Sequence, residues 1–553
     1  MRRFGLSVMV ATICVGGCAE KDEVEGKWYG PGIPDPGDSV VLDTSRGPIF
    51  SAYTDVGVAP GLVGVPNMDD DDRNGEMDWV QEGTADGEND YALGAMTTYG
   101  RTVELTLNGA GVRVYTDGEV VLDEINNTAE VSGDVNFRFE FSEFMIEARL
   151  TVTDLERDDS FDVILTAAPL MLNHHLQRAE ETMALAISGG DGWDNTDFIS
   201  GYEDELGESF LAIPGSRYNF DPWVQDEFEF GYATSPDAHL DVVFDTHRNG
   251  QGAPGEGLDD FPEDEYLGPD WVMVNWGRVT ANSLDYGGNL EVSPPVTVDG
   301  VDYPYGRIYY GGVSGYMPHE ATMDALDDMI IQKPFMADST WLCVGHIDEF
   351  TSTIPDPTAP KGFRFIIADT RSAWDLLDSL DENMELPRYS PGGWSGHSID
   401  DVGEITGDRG LRNLNEELQE ILDAEKERFV RELGLDEEDI IYMPSLFEEP
   451  QGCGGYVAAL IPGMANLIVS ESDGEPVIFL ADPFMRENVD DQDSDPVIQY
   501  VRDIFPEDLK LVFLDDWDVY HMGLGEVHCG SNVKREAPRT WWEDAAHLFG
   551  GDE

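Results

Sequence analysis

The stretch GEVHCGSN, Gly525 to Asn532, sets one cysteine directly after a histidine near the end of a 553-residue chain. Sulfur attacks only as thiolate, and a free thiol with a pKa of about 8.5 needs a cationic neighbour or partner to be poised near neutral pH. Cys529 is therefore a candidate nucleophile. Gly525 and Gly530 flank it, as expected where a backbone turns sharply or a substrate approaches closely. A buried cysteine also serves as a small hydrophobe, so the octapeptide alone leaves both readings open.

Three further stretches stand in the same half of the chain: DPWVQDEFEFGY (Asp221 to Tyr232), GGNLEVSPPVTV (Gly287 to Val298) and WLCVGHIDEF (Trp341 to Phe350). Taken in order with GEVHCGSN and with connecting text such as RFVRELGLDEEDIIYMPSLF, they resemble the protein-arginine deiminases of the pentein, or guanidine-modifying, superfamily. The similarity runs from about Ala167 to Trp542. After Ala167, helical segments alternate with short apolar strands. HLQRAEETMALAIS, ATMDALDDMII, SAWDLLDSL, NEELQEILDAEKERFVRELG and DPVIQYVRDIF read as helical, and WVMVNWG, GRIYYGG, STWLCVG, GFRFIIAD, YVAALI, PVIFLAD and LKLVFLDD as strands. The long helix has an N-cap at Asn413 or Asn415 and stops at Gly434. Such alternation suggests a doubly wound sheet, but no phosphate-binding glycine fingerprint follows an early strand. The resemblance implies instead an α/β fold over 167–553, a five-bladed α/β propeller whose pseudo-repeats converge on one site.

Residues 41–166 differ in style. DVNFRFEFS alternates Val135, Phe137, Phe139 and Phe141 with polar residues, and GRTVELTLN, GVRVYTD, GEVVLDE, MIEARLTVTD and FDVILTA read as further strands between turns. This is an immunoglobulin-like β-sandwich by position and strand count. The Gly-, Pro- and Asp-rich text of 18–40 reads as a tether. Residues 1–17, with two arginines and a short apolar run, have the form of a signal peptide. Val15-Gly16-Gly17-Cys18 resembles a bacterial lipobox, which implies lipid attachment at Cys18, and Ala19 favours the outer membrane. An ordinary signal cleaved nearby is the alternative.

The net charge of −80, from 112 acidic and 32 basic residues, excludes binding of nucleic acid or anionic lipid through basic patches. With Cys14 and Cys18 set aside, Cys343, Cys453 and Cys529 remain as thiols, and so small an odd number argues against a disulfide framework.

Deimination of arginine needs a sulfur nucleophile, carboxylates for the planar cation, an acid for departing ammonia and a base for water. The resemblance implies Cys529 as nucleophile, Asp226 and Asp348 as the guanidinium-binding carboxylates, and His346 as the general acid and base. His346 and Asp348 are two apart on a segment that reads as a strand end, which puts both on one face. Trp223 and Arg248 match positions that shape the cleft or contact the substrate backbone. The family's second backbone-contacting arginine falls on Gly250, and the basic residue six before the cysteine on Gly523, so peptidyl arginine, C-terminal arginine and free arginine all stay open as substrates.

The resemblance also implies calcium, held by Gln225, Glu227, Glu229, Asp245, Asn249, Asp270, Glu291 and the Leu290 carbonyl, oxygen donors that suit a hard cation. PNMDDDDRNGEMD (Pro66 to Asp78) allows two registers. Asn67, Asp69 and Asp71 match a family calcium motif, whereas Asp70, Asp72, Asn74, Gly75 and Asp78 fit an EF-hand-type start whose twelfth position is Gln81. A homodimer is implied by family analogy alone. A catalytically silent calcium-binding surface protein is the reading from another class.

Overall fold

The computed structural model describes residues 41–548 except 44–49, 55–56, 74–76, 82–89, 117–118, 158, 189–192, 247, 249–256, 275–281 and 391–397. The signal, the tether, Cys18, Asn74, Gly75, Asn249 and Gly250 lie outside the described residues.

The first part of the chain is β-structured, as its period-two pattern predicts. Nine strands between Val41–Asp43 and Asp159–Ala167 hydrogen-bond into one continuous sheet. A sandwich of two separate sheets is expected from the strand count. The 17-residue strand Ala92–Asn108 joins them instead, pairing with Val41–Asp43 near its start and with Glu147–Asp154 along its second half, across a register shift between Thr97 and Thr102. The alternating Phe137, Phe139 and Phe141 are all buried, with Leu105, Val114 and Leu150. A second cluster joins Val63, Val65 and Ile164 to Tyr232, Leu240 and Trp541 from the later part, so apolar packing continues across residue 167.

Beyond that point, besides two two-stranded sheets, five small sheets among the described residues share one pairing scheme. Phe228–Thr234 pairs antiparallel with His239–Asp245, which pairs parallel with Trp271–Val274. The same antiparallel-then-parallel order recurs in Leu290–Val292, Ile308–Gly311 and Phe335–Ala337. It recurs in Thr351–Pro355, Phe363–Asp369 and Ile440–Pro444, and in Ile468–Ser472, Glu475–Ala481 and Lys510–Leu514. The fifth sheet unites the two ends of this region: Ser531–Arg535 pairs antiparallel with Ala179–Ala186, which pairs parallel with Phe210–Pro214. A parallel neighbour requires a crossover, and helices such as Thr196–Leu206, Glu320–Asp327 and Pro496–Ile504 supply it.

Three local expectations are corrected. HLQRAEETMALAIS holds the central strand Ala179–Ala186 rather than a helix, because Met183, Ala184 and Leu185 are buried between two strand neighbours and packing overrides helix propensity. STWLCVG forms no strand, being tied by single contacts such as Val457 N–H to the Trp341 carbonyl. The long helix spans Arg409–Leu433 and ends at Gly434 in the left-handed region, as expected, but its N-cap is Asp408, whose carboxylate accepts from Gly410 and Leu411. Asn415 lies inside the helix and binds the backbone of Phe447.

Candidate active site

The four expected catalytic side chains converge, and each stands at the entrance to a different small sheet or shares one. Asp226 lies two residues before the strand that starts at Phe228, Asp348 three before Thr351, and Cys529 two before Ser531. The entrances of the two remaining sheets bring Gly288, two before Leu290, and Asn466, two before Ile468.

Asp226 sits in the four-residue helix Val224–Glu227, whose entry is held by the Asp221 carboxylate accepting from Trp223 N–H. His346 and Asp348 belong to a short 3-10 turn, Ile347–Glu349, and not to a strand end. Gly345, at φ 89°, turns the chain, and the Glu349 carboxylate accepts from Gly345 and His346 N–H, so the segment coils before it extends. The two side chains still face one point. A Cβ at Gly288 would lie 2.6 Å from His346 Nδ1, 2.9 Å from Asp226 Oδ1 and 3.3 Å from Asp348 Oδ2. Glycine at 288 thus keeps open the space that these three groups surround.

His346 Nε2–H donates to the Ser283 carbonyl at 2.8 Å, which leaves Nδ1 facing the open space, 3.5 Å from Asp226 Oδ1. A carbonyl can only accept, so the tautomer is fixed by that bond. Cys529 Sγ lies 3.6 Å from Asp348 Oδ2 and accepts from Asn466 Nδ2 at 3.2 Å. His528 Nδ1 donates to the same Asp348 oxygen at 2.8 Å.

Burial, then the charges of Asp348 and Asp226, push the Cys529 thiol well above its ordinary range. Burial also raises Asp226, against His346 and Arg248, which lower it. Burial works to lower His528, but its bond to Asp348 and the charge of Glu291 prevail and raise it.

Trp223 leans over Gly523 and Gly525; a Cβ at 523 would meet its ring at 2.7 Å. Neither Gly525 nor Gly530 has positive φ. The turn before the nucleophile is made by Leu524 at φ 69°, and the glycines admit the rings of Trp223 and Tyr520. Arg248, expected at the substrate backbone, is buried in ion pairs with Asp221 and Glu227, with Nε 3.8 Å from Asp226 Oδ2. It steadies the oxygen of Asp226 that turns away from the open space.

Of the expected calcium ligands, Gln225, Glu229, Leu290 and Glu291 line a single cavity of about 30 Å³. Burial raises Glu229 and moves Glu291 up to about 7, against Arg535 and, for Glu291, also His528, which act to lower them. Glu227 is instead engaged by Arg248, and Asp245 is buried at the end of its strand. In the acidic loop, Asp69, Asp71 and Asp78 bring oxygens within 4.8 Å of one another. This grouping follows the register of Asn67, Asp69 and Asp71 for two residues, while the Asn67 amide donates to Glu140. Asp69 Oδ2 accepts from Asp270 N–H at 2.8 Å, which joins the loop to the later part of the chain.

Asn466, His528 and His175 were not among the residues expected from sequence. Cys343 and Cys453 are not thiols: they form a disulfide across 110 residues, leaving Cys529 as the free cysteine among the described residues.

A protein-family model described as Protein-arginine deiminase (PAD) matches residues 158–543. Protein-arginine deiminase type-4 of Homo sapiens is 33% identical over 392 residues, covering 69% of this chain and 56% of its own length. Type-1 of Mus musculus is 36% identical over 342 residues, covering 60% and 49%. Type-3 of Homo sapiens is 33% identical over 373 residues, covering 63% and 52%. The chain spans about half the length of the curated relatives it matches.

Proposed function

Because this chain belongs to the protein-arginine deiminase family, we propose that it hydrolyses the guanidinium of protein or peptide arginine to citrulline and ammonia. The carrying observation is the space at Gly288, bounded by two carboxylates, an imidazole nitrogen and, through Asp348, a thiol. Two acids facing that point, with the Arg248 guanidinium on the side of the other Asp226 oxygen, suit a planar cation.

Guanidinium binding between Asp226 and Asp348 neutralises the charges that oppose a thiolate, so the substrate itself lowers the Cys529 pKa. Sγ then attacks the guanidinium carbon, forming a C–S bond and a tetrahedral intermediate. His346, protonated at Nδ1, gives its proton to the departing nitrogen; the C–N bond breaks, ammonia leaves and a thiouronium remains on sulfur. Nδ1 next takes a proton from water, whose oxygen attacks the same carbon. The C–S bond breaks, the remaining hydroxyl proton passes to solvent, and citrulline and the thiolate are released.

The oxygen-lined cavity of Gln225, Glu229, Leu290 and Glu291 has room for one ion, since about 10–15 Å³ suffices for one water. Its donor set fits calcium. Bound there, calcium supplies positive charge beside His528 and Asp348. The repeated pairing scheme of the five small sheets supports a five-bladed propeller, and the all-β first part supports an immunoglobulin-like domain before it.

The test is citrulline formation by protein lacking residues 1–18, on a blocked arginine amide, a C-terminal arginine peptide and free arginine, with calcium or chelator. Turnover of the amide, absent in Cys529→Ala, is expected. Turnover of free arginine alone makes the protein a small-guanidine hydrolase, and no turnover of any substrate in calcium overturns the enzymatic reading.

A further inference from the structure

Beside the oxygen donors, the cavity next to Cys529 carries two imidazoles. His175 Nε2 lies 3.5 Å from Glu291 Oε2, and His528 Nε2 lies 3.7 Å from Glu291 Oε1. Both separations exceed a hydrogen bond, for which 2.7–3.2 Å is usual. They approach the spacing of about 3.4 Å that neighbouring ligands adopt around a tetrahedral ion with bonds of about 2.1 Å. One ligand atom from each of the three residues falls within 4.8 Å of the others, and all three are buried.

The far side of each ring is already held. His528 Nδ1 donates to Asp348 Oδ2 at 2.8 Å, and His175 Nδ1 is 3.2 Å from Ser352 Oγ. A ring whose Nδ1–H is given to a carboxylate presents an Nε2 lone pair in a fixed direction, the outer arrangement that orients metal-binding histidines. The opposing charge in the cavity is Arg535, whose guanidinium is tied to the carbonyls of His175, Gln177 and Val469.

We propose that His175, Glu291 and His528 form a binding site for a nitrogen-preferring divalent metal of the zinc class. Two imidazoles and one carboxylate with a remaining open position suit Zn²⁺, Co²⁺ or Ni²⁺, whereas calcium gains little from nitrogen. Because Glu291 belongs to both donor sets, such a metal and calcium exclude each other. A metal at Nε2 is linked through the ring, whose Nδ1–H bonds Asp348, to that carboxylate. It thereby ties the cavity to the carboxylate beside the nucleophile, a consequence that rests on the deiminase reading.

The probe is Co²⁺, titrated into chelator-stripped protein lacking residues 1–18 and followed by its visible ligand-field absorption, which reports nitrogen ligands without any turnover. One equivalent is expected, with bands that Zn²⁺ abolishes and millimolar Ca²⁺ weakens. His175→Gln, which keeps the bulk of the side chain, and His175→Ala should each weaken Co²⁺ binding at least tenfold; far-ultraviolet circular dichroism identifies any variant that has not folded, and the folded one decides. No ligand-field bands, or bands that persist unchanged in the folded variant, overturn the site. Citrulline formation in calcium is measured separately, so a protein that binds Co²⁺ but turns nothing over sinks only the deiminase reading.

Discussion

Asn466 grips Cys529 at both ends: its Nδ2–H donates to Sγ at 3.2 Å while its Oδ1 accepts from the cysteine's own N–H at 3.2 Å. The same amide donates to the Asp348 carbonyl at 3.2 Å and accepts from His528 N–H at 2.8 Å. One side chain therefore fixes the distance between Cys529 and Asp348 and offers a hydrogen bond that strengthens when sulfur becomes anionic. Hydrogen bonds to charged groups are worth about 1.5–3 kcal/mol. Asn466→Ala should lower kcat about ten- to a hundredfold, with a smaller change in KM. An effect confined to KM would place Asn466 in substrate binding instead.

Gly288→Ala tests whether the space between Asp226, His346 and Asp348 is the reaction centre. Its methyl would lie 2.6–3.3 Å from all three, inside normal contact distance. Displacing reacting groups by about 1 Å can cost about 100-fold, so kcat/KM should fall at least that far while the melting temperature changes little. Activity within a fewfold of wild type would move the site elsewhere.

Much of this was legible in the chain. Period-two alternation located the strands around Phe137 to Phe141, and the four motifs named Asp226, His346, Asp348 and Cys529, which the fold brings together. Asn466 was illegible because an amide carries no chemical signature of its own. Only its place, two residues before a strand in the fourth of five like sheets, marks it as the counterpart of Asp226, Gly288 and Cys529. The turn at Ile347–Glu349 was misread as a strand end because apolar spacing over three residues does not separate a coil from a strand, and the deciding features were Gly345 and the Glu349 cap. His175 escaped notice since its partners lie 116 and 353 residues away, at Glu291 and His528.

The Cys343–Cys453 bridge is open to a direct count. Denatured, unreduced protein lacking residues 1–18 should show one reactive thiol, and three after reduction. The bridge ties the segment leading into His346 to the loop whose Ala458 and Ala459 line the cavity behind Cys529. Cross-links over long loops contribute about 2–4 kcal/mol. Cys343→Ser with Cys453→Ser should therefore lower the unfolding free energy by about that amount. Three thiols without reductant would refute the bridge.

The pH dependence of Cys529 alkylation tests the electrostatics from which the proposed reaction starts. Burial first, then Asp348 and Asp226, disfavour the thiolate, so the folded pKa stands above that of the unfolded chain, about 8.5. Iodoacetamide inactivation of the free protein should accordingly keep accelerating through pH 9 without levelling off. A saturating unreactive guanidinium cation small enough to leave Sγ reachable should bring the inflection down, because it offsets both carboxylates; Asp348→Asn should do the same without any ligand. The linkage carries a sign: a raised folded pKa stabilises the fold below the unfolded value, and that stabilisation is lost as pH rises through the folded one. Cys529→Ala should thus lose less stability than wild type between pH 8 and 10. A plateau in the alkylation rate below pH 8 in the ligand-free protein would mean that the thiolate is already formed, and that His346 rather than the substrate sets its charge.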